Sequence, residues 1–326
     1  MTRRMTRRIT QRDIAREAGV DVSTVCLSLN GHPRIPAATR ARIVALAQQM
    51  GYRPDPALSS IALTRWQGRR NVKGLVIGFL GDAKSSTEIE ARIQEDGARE
   101  QAEALGYGLE RFSLAAYPSM PKLTRVIRAR GIRGLVVAQT RNQLNETELR
   151  RLPLPFVRCG YLHPVEGDVV RPDLRGAVEG LVRHLLPHHK SITFFLQLDR
   201  ELHSDRVILG AALCCAAETK KITVLQSPDP PAQRDLNALA RAKPGAVVLI
   251  NERHAEELRT TAVVPNNTPF YTLHTLPPFD GKHGMNLRMH EVGRIAVNLL
   301  EFKMRQLPWA SPPFQQSILL APEWLG

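Results

Sequence analysis

The sequence predicts a small all-α helix-turn-helix head with a hinge helix, followed by a larger two-lobed α/β body on parallel sheets. Three observations predict it. Residues 10–50 carry apolar positions at helical spacing, interrupted at Gly19 and again at Asn30-Gly31. Positive charge is concentrated at the same end: residues 1–70 hold thirteen arginines, no lysine and four carboxylates, a net of +9 out of +14 for the chain. From Val72 onward, continuous apolar runs of strand length alternate with amphipathic helices, as in parallel sheets covered on both faces.

The head is justified residue by residue. Ile14, Ala15 and Ala18 line one helix, and Gly19 can take the left-handed conformation that ends it. Asp21 or Val22 opens a second helix, with Asp21 a good cap, and Val20, Val25 and Leu29 are its apolar positions. Two short helices joined through a glycine form a helix-turn-helix, whose second helix enters the DNA major groove. After a polar turn, Gly31 to Arg34, a third helix runs from Pro36 to Met50 with Ile43, Val44, Leu46, Ala47 and Met50 inward. The expected layout is a basic arm at 1–9, the DNA-binding head at 10–54, and a hinge and linker at 55–71. The hinge, Ala57 to Trp66, has an apolar face (Leu58, Ile61, Ala62) with little of its own to pack on. A basic head on a nearly balanced body is the footprint of a polyanion partner.

The body, 72–326, alternates regularly. Strands are expected at 72–80, 109–114, 132–138, 155–159, 169–170, 192–197, 222–226, 246–250, 270–273 and 317–320. Helices are expected at 88–105, 122–130, 146–152, 174–186, 207–218, 233–242, 253–260 and 289–304. Roughly 255 residues is large for one such sheet, which favours two lobes: about 72–160 with 285–312, and about 161–284 with 313–326. In such sheets a ligand sits at the carboxyl ends of the strands.

Much chemistry is excluded. No phosphate-binding loop, zinc-protease helix, nucleophile elbow or dinucleotide fingerprint occurs, and no nucleophile–base pairing can be located. No catalytic residue, metal or cofactor is therefore expected. His184, His188 and His189 fall at a helix end beside Pro187, which reads as a C-terminal cap, with metal binding the lesser alternative. Cys26, Cys159, Cys214 and Cys215 form no C-x-x-C pair and read as reduced thiols. No apolar run reaches membrane length and no secretory signal opens the chain, so a cytoplasmic, nucleoid-associated protein is expected.

Thr10, Asp13, Ile14, Ala15, Ala18, Gly19, Val20, Thr24, Val25, Leu29 and Asn30, then Thr39, Arg40 and Ile43, then Gly51, Tyr52 and Pro54, follow one pattern. It resembles that of the lactose-repressor family of bacterial transcription regulators. Arg130–Val137, Val247–Glu252 and His290–Ala296 are similar to further segments of that family. The resemblance implies a DNA-binding head, a minor-groove hinge helix and a periplasmic-binding-protein-like effector domain that dimerises. Within the head three positions depart from it: Asp21 and Cys26 replace serines, and Leu27 stands where a polar base reader is frequent; in the hinge Leu58 and Ile61 stand where the family carries A-x-x-L.

On this reading Val22, Ser23 and Leu27 read bases, the first and last through thymine methyls. Thr10, Gln11, Thr24, Asn30, Arg34, Thr39 and Tyr52 position phosphates, with Tyr52 equally suited to capping the core. Cys26 lies on the same helix without a contacting hydroxyl. Leu58 or Ile61 wedges into the minor groove. The effector contacts implied are Asp173, Arg206 and His274. For Asp173 a helix cap is at least as good an account. The partners expected are duplex operator DNA, a second copy of the chain, and a small effector, a sugar or related metabolite. Two other readings stay open: an effector-independent DNA-binding or architectural factor with a degenerate ligand domain, and a cleft enzyme with a DNA-binding head.

Overall fold

The structure is a computed structural model. It describes residues 9–29, 34–52, 75–81, 88–113, 116–117, 119–138, 154–161, 167–198, 203–305 and 315–326. Residues 1–8 of the basic arm, Asn30, the hinge with Leu58 and Ile61, the linker and the helix expected at 146–152 lie outside the described residues. The chain divides into two units, a head (1–73 with 305–312) and a body (74–304 with 313–326).

The head has three helices: α1 (Gln11–Ala18), α2 (Val22–Leu29) and α3 (Ala37–Gln49). Thr10 starts α1 through a capping box. Its hydroxyl accepts from the Asp13 N–H, and the Asp13 carboxylate accepts from the Thr10 N–H at 2.9 Å. Gly19 ends α1 at φ 66°, ψ 35°, a left-handed geometry that costs glycine nothing. Arg42 on α3 donates to the Ala18 carbonyl at 3.2 Å, which ties that end to the third helix. Ile14, Ala15, Ala18, Val25, Leu29, Ile43 and Ala47 form the core, with Ile9, Val20, Leu46, Met50 and Tyr52 packed on it. Val44, expected inward, is only half-buried and lies outside that core.

The body contains two six-stranded sheets. The first has strands β1 (Val76–Gly81), β2 (Gly108–Ser113), β3 (Ile132–Val137), β4 (Phe156–Cys159), β5 (Val169–Pro172) and β11 (Ser317–Leu320), in the order β11-β5-β4-β3-β1-β2, all parallel. The second has β6 (Ile192–Gln197), β7 (Ile222–Ser227), β8 (Ala246–Asn251), β9 (Phe270–His274), β10 (Gly284–Asn286) and β12 (Glu323–Leu325), in the order β12-β10-β9-β8-β6-β7. Only β12 is antiparallel there, against β10. Between the strands run α4 (Glu88–Ala104), α5 (Met120–Ala129), α6 (Leu174–Leu185), α7 (His203–Glu218), α8 (Gln233–Ala242), α9 (Glu252–Thr260) and α10 (Met289–Arg305). Burial along the whole of β6 and most of β1, β3 and β8 reflects coverage on both faces.

Strand pairing moves the lobe boundaries away from those the sequence suggests. Residues 169–172 and 317–320, placed in the second lobe, pair with each other in the first sheet; 285–286, placed in the first, belong to the second. The side chain of Asp168 fixes the β5–β11 edge: it accepts the Gln316 N–H at 2.8 Å and pairs with Lys303 of α10. The chain thus changes sheet through α6, through α10, and again between β11 and β12. Helices α4 and α10 cross backbone to backbone. A Cβ on Gly97 would collide with the His290 carbonyl, and one on Gly293 with the Gln94 carbonyl. Beside this crossing Gln101 donates to Asn298 at 2.8 Å and Glu100 faces both His290 and Arg294.

Candidate nucleic-acid interface and effector cavity

The inward side of α2 is Val25, Ser28 and Leu29, all at most 1% exposed. A 100° step per residue then places Ser23 and Leu27 on the opposite arc with Cys26 at its flank, whereas Val22 lies above Leu29 and is open because it begins the helix. Val22 is 37% exposed and Ser23 is open, whereas Cys26 and Leu27 are half-buried. Leu27 is not part of the head's core. Asp21 caps the helix, its Oδ1 accepting the Ser23 N–H at 2.7 Å. Hydrogen bonds from the Ser23 side chain and backbone hold its carboxyl below the ordinary carboxylate range, so it stays ionised next to the reading arc.

Among the phosphate candidates, Gln11 and Tyr52 are brought together, the amide donating to the phenol oxygen at 3.2 Å. The Tyr52 ring packs on the core at the same time, as the capping account expects. The Thr10 hydroxyl also donates to Asp13 at 2.6 Å, which makes Thr10 first of all the cap of α1. The T-x-x-D spacing already carried that signal. Thr24 and Thr39 are half-buried and Arg34 is exposed.

The effector candidates separate. Asp173 caps α6, its Oδ1 accepting the Gly176 N–H at 2.9 Å. Arg206 stands exposed on the first turns of α7. His274 ends β9 and lines a cavity of about 160 Å³ whose other walls include Ile93, Thr275, Phe279, Asn286, Arg288 and Glu291. Asp173 and Arg206 are not among its lining residues. His274 is 8% exposed, and its Nδ1 faces Glu90 Oε1 of α4 at 3.2 Å. Burial alone would depress this imidazole; Glu90 and, more distantly, Glu252 outweigh it and raise its pKa above the ordinary histidine value. The loop after β9 is fixed by Glu252, which accepts the Leu276 N–H at 2.9 Å and faces Lys282. Asn286 accepts the Arg288 N–H at 2.8 Å and holds Arg288 at φ 57°. Glu90, Asn286 and Arg288 were not singled out from sequence, because no local spacing links α4 to the end of β9.

Elsewhere, His184 stacks on Trp324 at 4.7 Å and His189 meets the Tyr271 hydroxyl at 3.1 Å. His184 therefore ties α6 to β12, and His189 ties the turn after α6 to β9. Among the described residues no group of three His, Cys, Asp or Glu could hold a metal, and no helix is long and apolar enough to cross a membrane. The four cysteines are unbridged, and burial pushes the Cys159 thiol up to about 12.

Residues 10–55 match the family model for bacterial regulatory proteins of the lacI family. The chain carries a LacI-type head. The maltose regulon regulatory protein MalI of Escherichia coli (strain K12) is 31% identical over 188 residues, 55% of this chain and 51% of that protein. The sucrose operon repressor of Klebsiella pneumoniae is 34% identical over 100 residues, 29% of each chain. The chain spans about half the length of the first curated relatives it matches. In fold it is similar to the Lac repressor bound to ONPG, with a TM-score of 0.57 at 14% identity over 97% of this chain and 98% of that one. It is also similar to the trehalose repressor from Escherichia coli, with a TM-score of 0.59 at 14% identity over 77% and 100%. The architecture is thus a LacI-type helix-turn-helix head followed by a periplasmic-binding-protein-like α/β body with parallel sheets.

Proposed function

We propose that the protein is a transcription repressor that binds a pseudo-palindromic operator as a homodimer and responds to a small effector held by the body. The observation that carries this reading is the accessible side of α2, Ser23, Cys26 and Leu27 with Val22 at its open start, on a head of LacI type. Val22 and Leu27 suit thymine methyls, and Ser23 suits either base edge. With no Arg or Asn on this side, direct readout is modest, and bending at the hinge by Leu58 or Ile61 supplies further specificity. Gln11, Thr24, Asn30, Arg34, Thr39 and Tyr52 set register on phosphates. The functional layout is arm, head to 54, hinge to 71, then body. The protein acts in the cytoplasm and performs no catalysis. The relatives named for the maltose regulon and the sucrose operon favour an effector related to sugars.

Selection of bound fragments from random DNA, followed by a salt titration on the recovered site, tests this. A palindrome is expected, with affinity falling about 10³- to 10⁵-fold between 50 and 200 mM salt if six to ten phosphates are contacted. Recovery of no preferred sequence, or a flat salt response, rejects the reading. A second reading, an operator binder without an effector, is favoured by one observation: Asp173 is engaged as a cap and neither it nor Arg206 lines the cavity. An effector that shifts the thermal midpoint and changes operator affinity decides against it.

A further inference from the structure

We propose that Asp21 is a specificity-determining residue of the head: its carboxylate accepts from the N4 amino group of a cytosine in each operator half-site. This rests on α2 being the DNA-reading helix proposed above, and names one base that it selects.

The placement of the carboxylate is fixed by the helix it precedes. Asp21 stands immediately before α2 and is exposed, as are Val22 and Ser23 after it. The N-terminal residues of a recognition helix are the ones that meet base edges. Oδ1 of Asp21 accepts the Ser23 N–H at 2.7 Å, so the side chain is held at the leading end of α2 instead of swinging free.

No cation of the head neutralises it. Asp13 pairs with Arg16 at 2.5 Å on α1, whereas among the described residues no Arg or Lys pairs with Asp21. An exposed aspartate is ionised at neutral pH without help from neighbours. Capping alone does not call for this charge, since Ser and Asn cap about as well. On a face that docks against phosphates, an unpaired carboxylate is repelled by each phosphate nearby unless the groove offers it a donor.

The chemistry of the groove then selects the base. An ionised carboxylate only accepts and has about four lone-pair sites. The Ser23 N–H and hydroxyl use at most two of them. The donors exposed in the major groove are N4 of cytosine and N6 of adenine, while guanine presents only N7 and O6 acceptors. The adenine amino group is flanked by N7, which repels an approaching carboxylate. Cytosine carries no acceptor on its own major-groove edge. Together with Val22, which suits a thymine methyl, Asp21 makes the start of α2 complementary to pyrimidines.

Selection of bound fragments by the full chain, followed by fluorescence anisotropy on the recovered site, tests the proposal. Each half-site is expected to hold one cytosine preferred at least about fivefold over the other bases. Asp21→Ser and Asp21→Asn, which both keep a cap, are expected to reduce that preference to less than about twofold and leave the other positions unchanged. At that position 2-pyrimidinone, which is cytosine without its amino group, is expected to weaken wild-type binding at least about fivefold and to have no effect on Asp21→Ser. A purely structural cap does not produce such coupling. Binding of random DNA that is retained or tightened in the variants shows that the head is folded, and the 2-pyrimidinone measurement on the wild-type chain needs no variant. A cytosine preference that survives both substitutions, wild-type binding indifferent to 2-pyrimidinone, or adenine selected in place of cytosine overturns the proposal. If a palindrome is recovered in those cases, the repressor reading survives and Asp21 is a cap only. Recovery of no preferred sequence rejects both.

Discussion

Leu27 is the residue at which the proposed reading of DNA separates from support of the fold. It lies on the outward arc of α2, yet is half-buried, while Val25 and Leu29 of the same helix fill the core. Its side chain can therefore be trimmed without opening the head's interior. Leu27→Ala should lower affinity for the recovered operator roughly 5- to 30-fold, about 1–2 kcal/mol, and leave binding to random DNA nearly unchanged. Equal losses on both DNAs, seen by fluorescence anisotropy, would show that Leu27 supports the fold instead. Ile14→Ala is the contrasting change. Ile14 is fully buried, and a cavity there costs about 2–5 kcal/mol, so both kinds of binding should fall together as the head unfolds. Thr10→Ala should cost about 1 kcal/mol of head stability, because it removes the reciprocal cap with Asp13.

Among the elements, the crossing of α4 and α10 is the least tolerant of added volume. Gly97→Ala or Gly293→Ala sets a methyl against a partner backbone, where no side chain can move away. Each should lower the urea midpoint of the body by more than any single surface change. Gly210→Ala in α7 is the control: a Cβ there meets nothing within 4 Å, so replacing the glycine should stabilise by about 0.5–1 kcal/mol. If Gly97→Ala leaves the midpoint unchanged, the two helices are not in backbone contact. These elements were also legible to very different degrees. Strand β6 and helix α8 match the sequence reading to the residue, because each is a continuous pattern of one period bounded by turn residues. Strands β10 and β12 were missed: Gly-Met-Asn and Glu-Trp-Leu are too short to show any period, and long-range pairing creates them. The lobe boundaries failed for the same reason, since the partner of β5 is β11, distant in sequence. At the site, the accessible side of α2 follows from local spacing, whereas Glu90 opposite His274 arises only where the start of α4, packed on the first sheet, meets the end of β9.

At the scale of the whole molecule, two buried histidines give the body opposite responses to pH. His274 is faced by Glu90 from α4 and by Glu252 from α9, with Arg288, His290 and Glu291 lining the cavity beside it. Its pKa in the fold is raised, so its contribution to stability is fully present below the unfolded value of about 6.5 and is lost as pH rises through the folded value. His254, 3% exposed on α9, is lowered first by burial and then by Arg253, against the opposing pull of Asp229 and Glu257. It folds neutral, so stability falls as pH drops below about 6.5 toward its depressed value. His189 is lowered in the same sense by burial and by His188, and adds to the acid side. The urea midpoint measured from pH 5 to 8.5 should therefore peak between these limbs. His274→Gln should flatten the alkaline limb without touching the acid one. His254→Gln should flatten most of the acid limb and leave a remainder from His189. An alkaline limb that persists in His274→Gln would mean that the Glu90–His274 pair does not hold the two sheets' elements together.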